Sequence, residues 1–126
     1  MSDRQLEGQR ILIVEDEYLI ADDLRDALVV AGAEVLGPAP NVDVAVSLIA
    51  GSQQIDAALL DINLRGTMVF DVADTLVARG VPIAFATGYD HWAIPDRFAD
   101  VPRLEKPIKA RQVLAVLEPL LRDGTA

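Results

Sequence analysis

Five side chains that could act together in chemistry follow four separate apolar runs of the 126-residue chain. Glu15 and Asp16 directly follow the first run, and Asp61 follows a later one. Thr87 follows another apolar run, and Lys106 comes shortly after a weaker one. Short runs that are apolar at consecutive positions are typical of strands buried on both faces of a parallel sheet. Because the carboxyl ends of parallel strands meet at one edge of the sheet, we expect all five side chains to lie close together.

The acidic members of this group predict a site for a hard divalent cation. Carboxylates that are crowded together raise each other's pKa unless a cation lies between them. Mg²⁺ prefers oxygen ligands and retains several waters. We expect Asp16 and Asp61 to be direct ligands, Glu15 to bind directly or through water, and the backbone carbonyl of Asn63 to contribute from its loop.

Beside such a metal, the Asp61 carboxylate is suited to accept a phosphoryl group, since carboxylates are nucleophiles that form acyl phosphates. The transition state of phosphoryl transfer spreads negative charge over three oxygens, so catalysis consists mainly of positioning and of neutralising charge. In this interpretation Mg²⁺ neutralises one oxygen and Lys106 a second. Thr87 and the backbone N–H groups after Asp61 bind the third.

The elements that must position these residues are predicted as strands and helices in alternation. The apolar runs cover residues 11–14, 34–36, 57–60, 83–86 and, more weakly, 101–104. Helical spacing of apolar residues predicts four helices between and after these runs. Their core-facing residues are Ile20, Leu24, Ala27, Leu28 and Ala31; Val44 or Ala45 with Leu48 and Ile49, capped by Asn41; Phe70, Ala73, Leu76 and Val77; and Val113, Leu114, Leu117 and Leu121.

Two prolines weaken the helix predictions. One further helix is predicted within residues 90–98, the fourth in chain order, and Pro95 should shorten or offset it. Pro119 predicts a kink or early fraying of the last helix. The order is nonetheless strand–helix repeated five times, which predicts an α/β, doubly wound (βα)5 fold. Right-handed crossovers favour a five-stranded parallel sheet of order 2-1-3-4-5, the flavodoxin-like arrangement.

Composition excludes several classes of function. With 20 acidic and 11 basic side chains the formal charge is −9, which disfavours nucleic-acid binding. The absence of cysteine excludes disulfides and thiolate chemistry. The length predicts a single domain over residues 1–126, with its core at about 9–122 and no output domain. No apolar run is long enough for a membrane span or a signal peptide, so we expect a cytoplasmic protein.

At these residues the sequence resembles the receiver domains of bacterial response regulators in two-component signalling. The shared pattern is an acidic pair after the first strand, Asp61 ending the third, Thr87 ending the fourth and Lys106-Pro107 after the fifth. The resemblance implies that Asp61 accepts a phosphoryl group from the phosphohistidine of a histidine kinase or of a phosphotransfer protein in a phosphorelay. It also implies that the domain catalyses its own phosphorylation and dephosphorylation rather than acting as an enzyme on a separate substrate. A cis bond at Lys106-Pro107 is a further implication.

A narrower resemblance concerns the segment Pro82-Ile83-Ala84-Phe85-Ala86-Thr87-Gly88-Tyr89. It is similar to the Pro-Phe-x-Phe-Ala-Thr-Gly-Tyr signature of the FAT GUY receivers, with Ile83 in place of the first Phe. That subset consists mostly of stand-alone receivers of alphaproteobacteria, partnered with HWE or related kinases and often involved in stress signalling.

Three positions depart from the commoner receiver pattern. Arg65 stands where Pro is usual, Val69 where Gly is usual, and Arg103 where most receivers have an aromatic residue. The usual switch, in which an aromatic side chain turns inward as the hydroxyl moves, therefore cannot operate here. Our hypothesis is that Thr87 still moves and that residues 88–98 respond, with Gly88 supplying backbone freedom.

Two other functions remain open from the sequence. An Asp-nucleophile phosphatase of the haloacid-dehalogenase type also uses Asp, Thr, Lys and Mg²⁺, but it needs an acid at the position of Asn63. A receiver that acts only as an unphosphorylated docking module is the other. The last helix has more apolar residues than one stripe requires, which favours a protein partner or a homodimer through that helix.

Overall fold

In the computed structural model, residues 5–88 and 94–123 are described. The strands are β1 Arg10–Val14, β2 Glu34–Ala39, β3 Ala57–Asp61, β4 Asn63–Leu64, β5 Thr67–Met68, β6 Ile83–Thr87 and β7 Arg103–Glu105. The α-helices are α1 Tyr18–Val30, α2 Val42–Gly51, α3 Phe70–Ala78 and α4 Ala110–Asp123.

The main sheet has five parallel strands in the order β2-β1-β3-β6-β7. Counted along this sheet alone, that is the predicted order 2-1-3-4-5, so the fold prediction is confirmed. The register pairs Asp61 with Ala86 and Thr87 with Glu105. The ends of β3, β6 and β7 therefore lie side by side, which brings the predicted site residues to one edge.

Helices cover both faces of this sheet, and alternate side chains of each strand serve the two cores. Leu12 and Val14 pack in the core beneath α2 and α3. Ile11 and Ile13 pack in the other core, beneath α1 and α4. The three central strands are buried along their whole length, with only Arg10 partly exposed. That double coverage is why these strands are continuously apolar in sequence.

The predicted helices are present, with two corrections. Asn41 caps α2 by accepting a hydrogen bond from the Val44 N–H at 2.9 Å, as its residue type predicts. The prediction that Val77 lies on the core face of α3 is wrong, because Val77 is 53 % exposed and the buried residues of this helix are Val72, Ala73 and Leu76. Pro119 lies within α4, which continues to Asp123, so the prediction of early fraying is wrong, whereas the predicted kink stays a prediction.

The predicted helix over residues 90–98 is only partly within the described residues, because 89–93 lie outside them. The described part after Pro95 is a 3-10 helix, Asp96–Phe98, rather than an α-helix. Phe98 is buried and lies 5.7 Å from the Phe70 ring and 5.5 Å from the Phe85 ring, measured between centroids. The far end of the proposed switch segment is thus anchored in the core, while its rearrangement stays a prediction.

The most exposed large apolar side chains of the described residues lie in α1 and not in the last helix, where the sequence predicted exposed apolar surface. In α4, Val113 and Leu117 are buried, while Leu114, Val116, Leu120 and Leu121 are half-buried against the rest of the core. The strongly exposed large apolar side chains of the described residues include Tyr18, Leu19 and Val30, all in α1. Dimerisation through the last helix stays a prediction. Among the described residues no helix has the length and apolar character that crossing a bilayer requires, and the cytoplasmic location likewise stays a prediction.

A tight backbone approach at Gly37 gives a test of the packing between β1 and β2. Gly37 has a φ of +92°, and a Cβ there would lie 2.7 Å from the Ala39 nitrogen and 2.8 Å from the Ile13 carbonyl oxygen. We expect Gly37→Ala to lower the free energy of unfolding by about 1–3 kcal/mol, measured by urea denaturation, because neither backbone atom can move cheaply.

Gly51→Ala is the matched control for Gly37→Ala. A Cβ at Gly51, in the last turn of α2, meets no atom within 4 Å. Its stability should be unchanged or slightly higher, since alanine is the better helix former. Equal losses in the two variants would contradict the packing argument.

Candidate functional site

The candidate site is formed where β1 and β3 end. Parallel pairing of the two strands sets Val14 beside Leu60, so the residues that follow, Glu15 and Asp61, are neighbours. Both side chains are almost fully buried, with Glu15 2 % and Asp61 5 % exposed. Two carboxylates are thus held next to each other at low exposure, which is costly unless cations or protons compensate them.

Lys106 supplies the positive charge in this pair's surroundings. Its Nζ lies 3.0 and 3.1 Å from the two oxygens of Glu15 and 3.2 Å from Oδ2 of Asp61. It also donates to Oε1 of Glu17 at 3.2 Å. Burial opposes the charged form of this amine, but the hydrogen bond to Glu15 and the charges of Asp61 and Glu15 raise the pKa of Lys106 above its usual value. The lysine is therefore an ammonium held by three carboxylates.

The pKa of the Asp61 carboxyl is higher than that of an exposed aspartic acid. Burial and the neighbouring charge of Glu15 outweigh the attraction of Lys106 and raise the pKa of Asp61 to about 7. Oδ1 accepts a long hydrogen bond of 3.3 Å from the Asn63 N–H. A buried carboxyl beside another acid and a lysine is a strong candidate for a reactive group.

Thr87 is at the end of β6, between the ends of β3 and β7. Its carbonyl oxygen accepts a 2.9 Å hydrogen bond from the Lys106 N–H, which ties the lysine's backbone to the strand end. Thr87 is 2 % exposed, and its Oγ1 has no hydrogen-bond partner among the described residues. A buried hydroxyl without a partner costs free energy, so this atom is placed to bind a group that arrives from outside.

Asp16 and Asn63 lie at the same edge of the sheet, where Asp16 forms an ion pair and Asn63 closes a turn. The Asp16 side chain is 10 % exposed. Its Oδ2 lies 3.5 Å from Nε of Arg65. The Asn63 side chain accepts a 2.6 Å hydrogen bond from the Gly66 N–H, which closes a tight turn. The expectation that the Asn63 carbonyl binds a metal stays a prediction.

Two residues of the site were missed by sequence reasoning. Glu17 is not among the predicted site residues, yet it is the N-cap of α1 and accepts a hydrogen bond from the Lys106 ammonium. Arg65 was noted only as a departure from a pattern, yet its guanidinium reaches Asp16. The adjacency of Glu17 to the acidic pair was the available signal, whereas the contact of Arg65 depends on a hairpin that the sequence did not predict.

The donor set fits a hard divalent cation. Glu15, Asp16, Glu17 and Asp61 each offer a carboxylate oxygen, and these atoms lie within 4.8 Å of one another. Oxygen-only ligands suit Mg²⁺ or Ca²⁺ rather than a softer metal. The unpartnered Thr87 hydroxyl and the ammonium of Lys106 lie at the same edge, so the site combines a cation position with groups that favour an oxyanion.

The cis peptide bond between Lys106 and Pro107 is present, as the resemblance to receivers implies. A second cis bond joins Gly37 to Pro38 and was not predicted.

Several known proteins and solved structures are similar to the chain. No protein-family model matches the chain. The solution structure of SdrG from Sphingomonas melonis Fr1 is 41 % identical, with a TM-score of 0.80, over 96 % of this chain and 99 % of that one. A structure of the BeF3-activated conformation of SdrG is 40 % identical with a TM-score of 0.73 over the same shares.

Two PhyR proteins are also similar to the chain. The phyllosphere-induced regulator PhyR of Methylorubrum extorquens is 36 % identical over 119 residues, which is 88 % of this chain and 43 % of that protein. A crystal structure of a mutant of the anti-anti-sigma factor PhyR from Bartonella quintana is 25 % identical, with a TM-score of 0.77, over 98 % of this chain and 53 % of that one. The chain spans about half the length of the curated relatives it matches.

Proposed function

The chain belongs to the receiver-domain family of response regulators, and from that premise we propose that it is a phosphorylation switch with Asp61 as the phosphoacceptor. The observation that carries the proposal is the buried Asp61 carboxylate 3.2 Å from the Lys106 ammonium. The Thr87 hydroxyl at the adjacent strand end, without a hydrogen-bond partner, supports it.

The proposed reaction is phosphoryl transfer from a phosphohistidine to Asp61. An oxygen of the ionised carboxylate attacks phosphorus, the P–N bond to the donor imidazole breaks as the new P–O bond forms, and the imidazole leaves with its electron pair. Lys106 is placed to neutralise one phosphoryl oxygen, and the Thr87 Oγ1 to donate to another. The N–H groups after Asp61 complete the binding of the group.

Asp16, Asp61, Glu15 and the Asn63 carbonyl are the proposed ligands of Mg²⁺. When bound, the ion supplies positive charge that offsets the negative charge of the phosphoryl oxygens. The chain's own residues hold the acceptor, exclude water from it and keep Lys106 charged. This arrangement modifies Asp61 itself, so we propose a self-modifying switch rather than an enzyme with a separate substrate.

The proposed partners are a histidine kinase or phosphotransfer protein as donor and another protein as the target of the output. One relative is an anti-anti-sigma factor, which supports a target among proteins that control transcription through protein binding. On the resemblance of residues 82–89 we also propose that the chain is a receiver of the FAT GUY subset and takes part in stress signalling.

Phosphorylation from acetyl phosphate tests the proposal directly. With Mg²⁺ present, intact-mass spectrometry should show the gain of one phosphoryl group, and Asp61→Asn should abolish the gain because the amide is not a nucleophile. Asp100→Asn is the matched control: Asp100 is exposed and is not one of the clustered carboxylates of the site, so this variant should be phosphorylated as the wild type is.

The alternatives make different predictions in the same assay. A docking module gains no mass with acetyl phosphate or with a kinase donor. A phosphatase turns over a small ester such as p-nitrophenyl phosphate repeatedly. Mass gain in the Asp61→Asn protein would show that another residue is the acceptor and would overturn the proposal.

A further inference from the structure

Arg65 is held at the rim of the site by a two-residue hairpin. Strands β4 and β5 pair Leu64 with Thr67, so Arg65 and Gly66 alone form the turn. Both have positive φ, 54° for Arg65 and 94° for Gly66, the combination required by the tight turns that suit a hairpin. The Asn63 side chain accepts the Gly66 N–H at 2.6 Å and closes the turn.

The backbone conformation of Arg65 is unusual for its residue type. Asn, Asp and Gly are the residues that adopt positive φ readily, and a longer side chain is disfavoured there. Arg65 is the one residue other than glycine with positive φ among residues 5–88 and 94–123. Backbone conformations that are disfavoured for their residue type are concentrated at functional sites.

The side chain of Arg65 reaches the candidate metal ligand Asp16. Its Nε lies 3.5 Å from Oδ2 of Asp16, although 83 % of the Arg65 side chain is exposed. Asp16 itself is 10 % exposed, so it has limited access to water. In the part of the chain that the structure describes, no other ion pair is formed by Asp16. The other two proposed carboxylate ligands, Glu15 and Asp61, form their ion pairs with Lys106 instead.

From this geometry we infer that Arg65 and the divalent cation compete for Asp16, so that Arg65 sets the Mg²⁺ concentration at which the site fills. The inference deepens the proposed function and depends on its metal site. A dication that binds Asp16 is repelled by a guanidinium that stays against Oδ2 of the same carboxylate, so the ion binds more weakly while the Arg65–Asp16 pair is intact. Filling the site is therefore favoured when Arg65 leaves Asp16.

The position of Arg65 makes this exchange easy. The guanidinium is mostly in water, so it loses little when it turns away, whereas the buried ammonium of Lys106 is fixed by its neighbours. The hairpin keeps the released side chain within reach of the site. Arg65 is therefore a positioning residue that acts through Asp16 and is not a metal ligand.

Isothermal titration calorimetry with MgCl₂ on the unphosphorylated protein tests the inference. Arg65→Asn removes the guanidinium and suits the positive φ, so the hairpin should be retained. We expect its dissociation constant for Mg²⁺ to be about two- to fivefold lower than that of the wild type at low salt, the scale of an exposed ion pair. The difference should shrink at 0.5 M NaCl because salt screens the pair.

Two further variants separate the contact from general charge. Arg65→Lys keeps the positive charge and should bind Mg²⁺ within about twofold of the wild type. Arg25→Gln removes one positive charge from an exposed arginine whose partner is Asp26, and it should leave the dissociation constant unchanged. Equal affinities in wild type and Arg65→Asn, or an equal gain in Arg25→Gln, would overturn the inference.

The failure of the proposed function is distinguishable from the failure of this inference. If the wild type and Arg65→Asn both bind no Mg²⁺ at tens of millimolar, the metal site itself is absent and both proposals fall. If both bind with the same affinity, the metal site stands and only the competition is refuted.

Discussion

Lys106→Met should lower the free energy of unfolding of the metal-free protein at pH 8 by about 3 kcal/mol. The ammonium lies within 3.2 Å of Glu15, Glu17 and Asp61, and Glu15 and Asp61 are nearly inaccessible to water. Methionine fills a similar volume without charge, so two buried carboxylates are left without a partner. Removing one member of a buried ion pair is costly for that reason, even where the intact pair adds little stability.

The loss should depend on pH and on metal. Lowering the pH to 5 protonates Asp61 and removes part of the repulsion, so the difference between variant and wild type should shrink. Mg²⁺ should also reduce it, because the ion supplies the missing positive charge. Urea denaturation at pH 5 and pH 8, with EDTA or with MgCl₂, measures all four values.

Lys109→Met is the matched control for this experiment. Lys109 is exposed three residues further on, and its backbone N–H, not its side chain, donates to Gln112. Its stability should change by less than about 0.5 kcal/mol. If Lys106→Met is as stable as Lys109→Met at pH 8 without metal, the lysine is not the counterion that the distances indicate.

Asp61→Asn should stabilise the metal-free protein at alkaline pH. The pKa of Asp61 rises from 3.8 to about 7 on folding, mainly through burial and then through the charge of Glu15. The folded state therefore binds more protons than the unfolded state between these two values, and the free energy of unfolding falls as the pH rises through that window. The penalty is complete above pH 7 and absent below about pH 4.

The expected gain follows from that displacement of the pKa. It is about 4 kcal/mol at pH 8, or about 15 °C in melting temperature, and near zero at pH 4. Asparagine has the same shape as aspartate and carries no charge, so little packing is lost. Thermal denaturation in EDTA from pH 4 to pH 8.5 measures the effect.

The control and the metal dependence complete this test. Asp100→Asn removes the same charge from an exposed position and should follow the wild type at every pH. Added Mg²⁺ should stabilise the wild type more than Asp61→Asn, because the variant lacks one proposed ligand. A lower melting temperature for Asp61→Asn at pH 8 in EDTA would contradict the perturbed state of this carboxyl.

The sequence determined the architecture of this protein because each part of the pattern has a local cause. Buried parallel strands are continuously apolar, as in Leu59 and Leu60, and helix faces repeat every three to four residues, as in Leu24 and Leu28. The (βα)5 order then leaves few topologies, and the carboxyl ends of the strands set where Glu15, Asp61, Thr87 and Lys106 meet.

Only the tertiary structure decided how the charges at that edge are compensated. Lys106 is 91 positions from Glu15 and 45 from Asp61, and no local pattern states which acid an amine that distant will contact. Glu17 and Arg65 entered the site for the same reason, the first through the cap of α1 and the second through the β4–β5 hairpin. Residue types and strand ends are properties of short segments, whereas burial and ion pairing depend on atoms that only the folded chain brings within a few ångströms of each other.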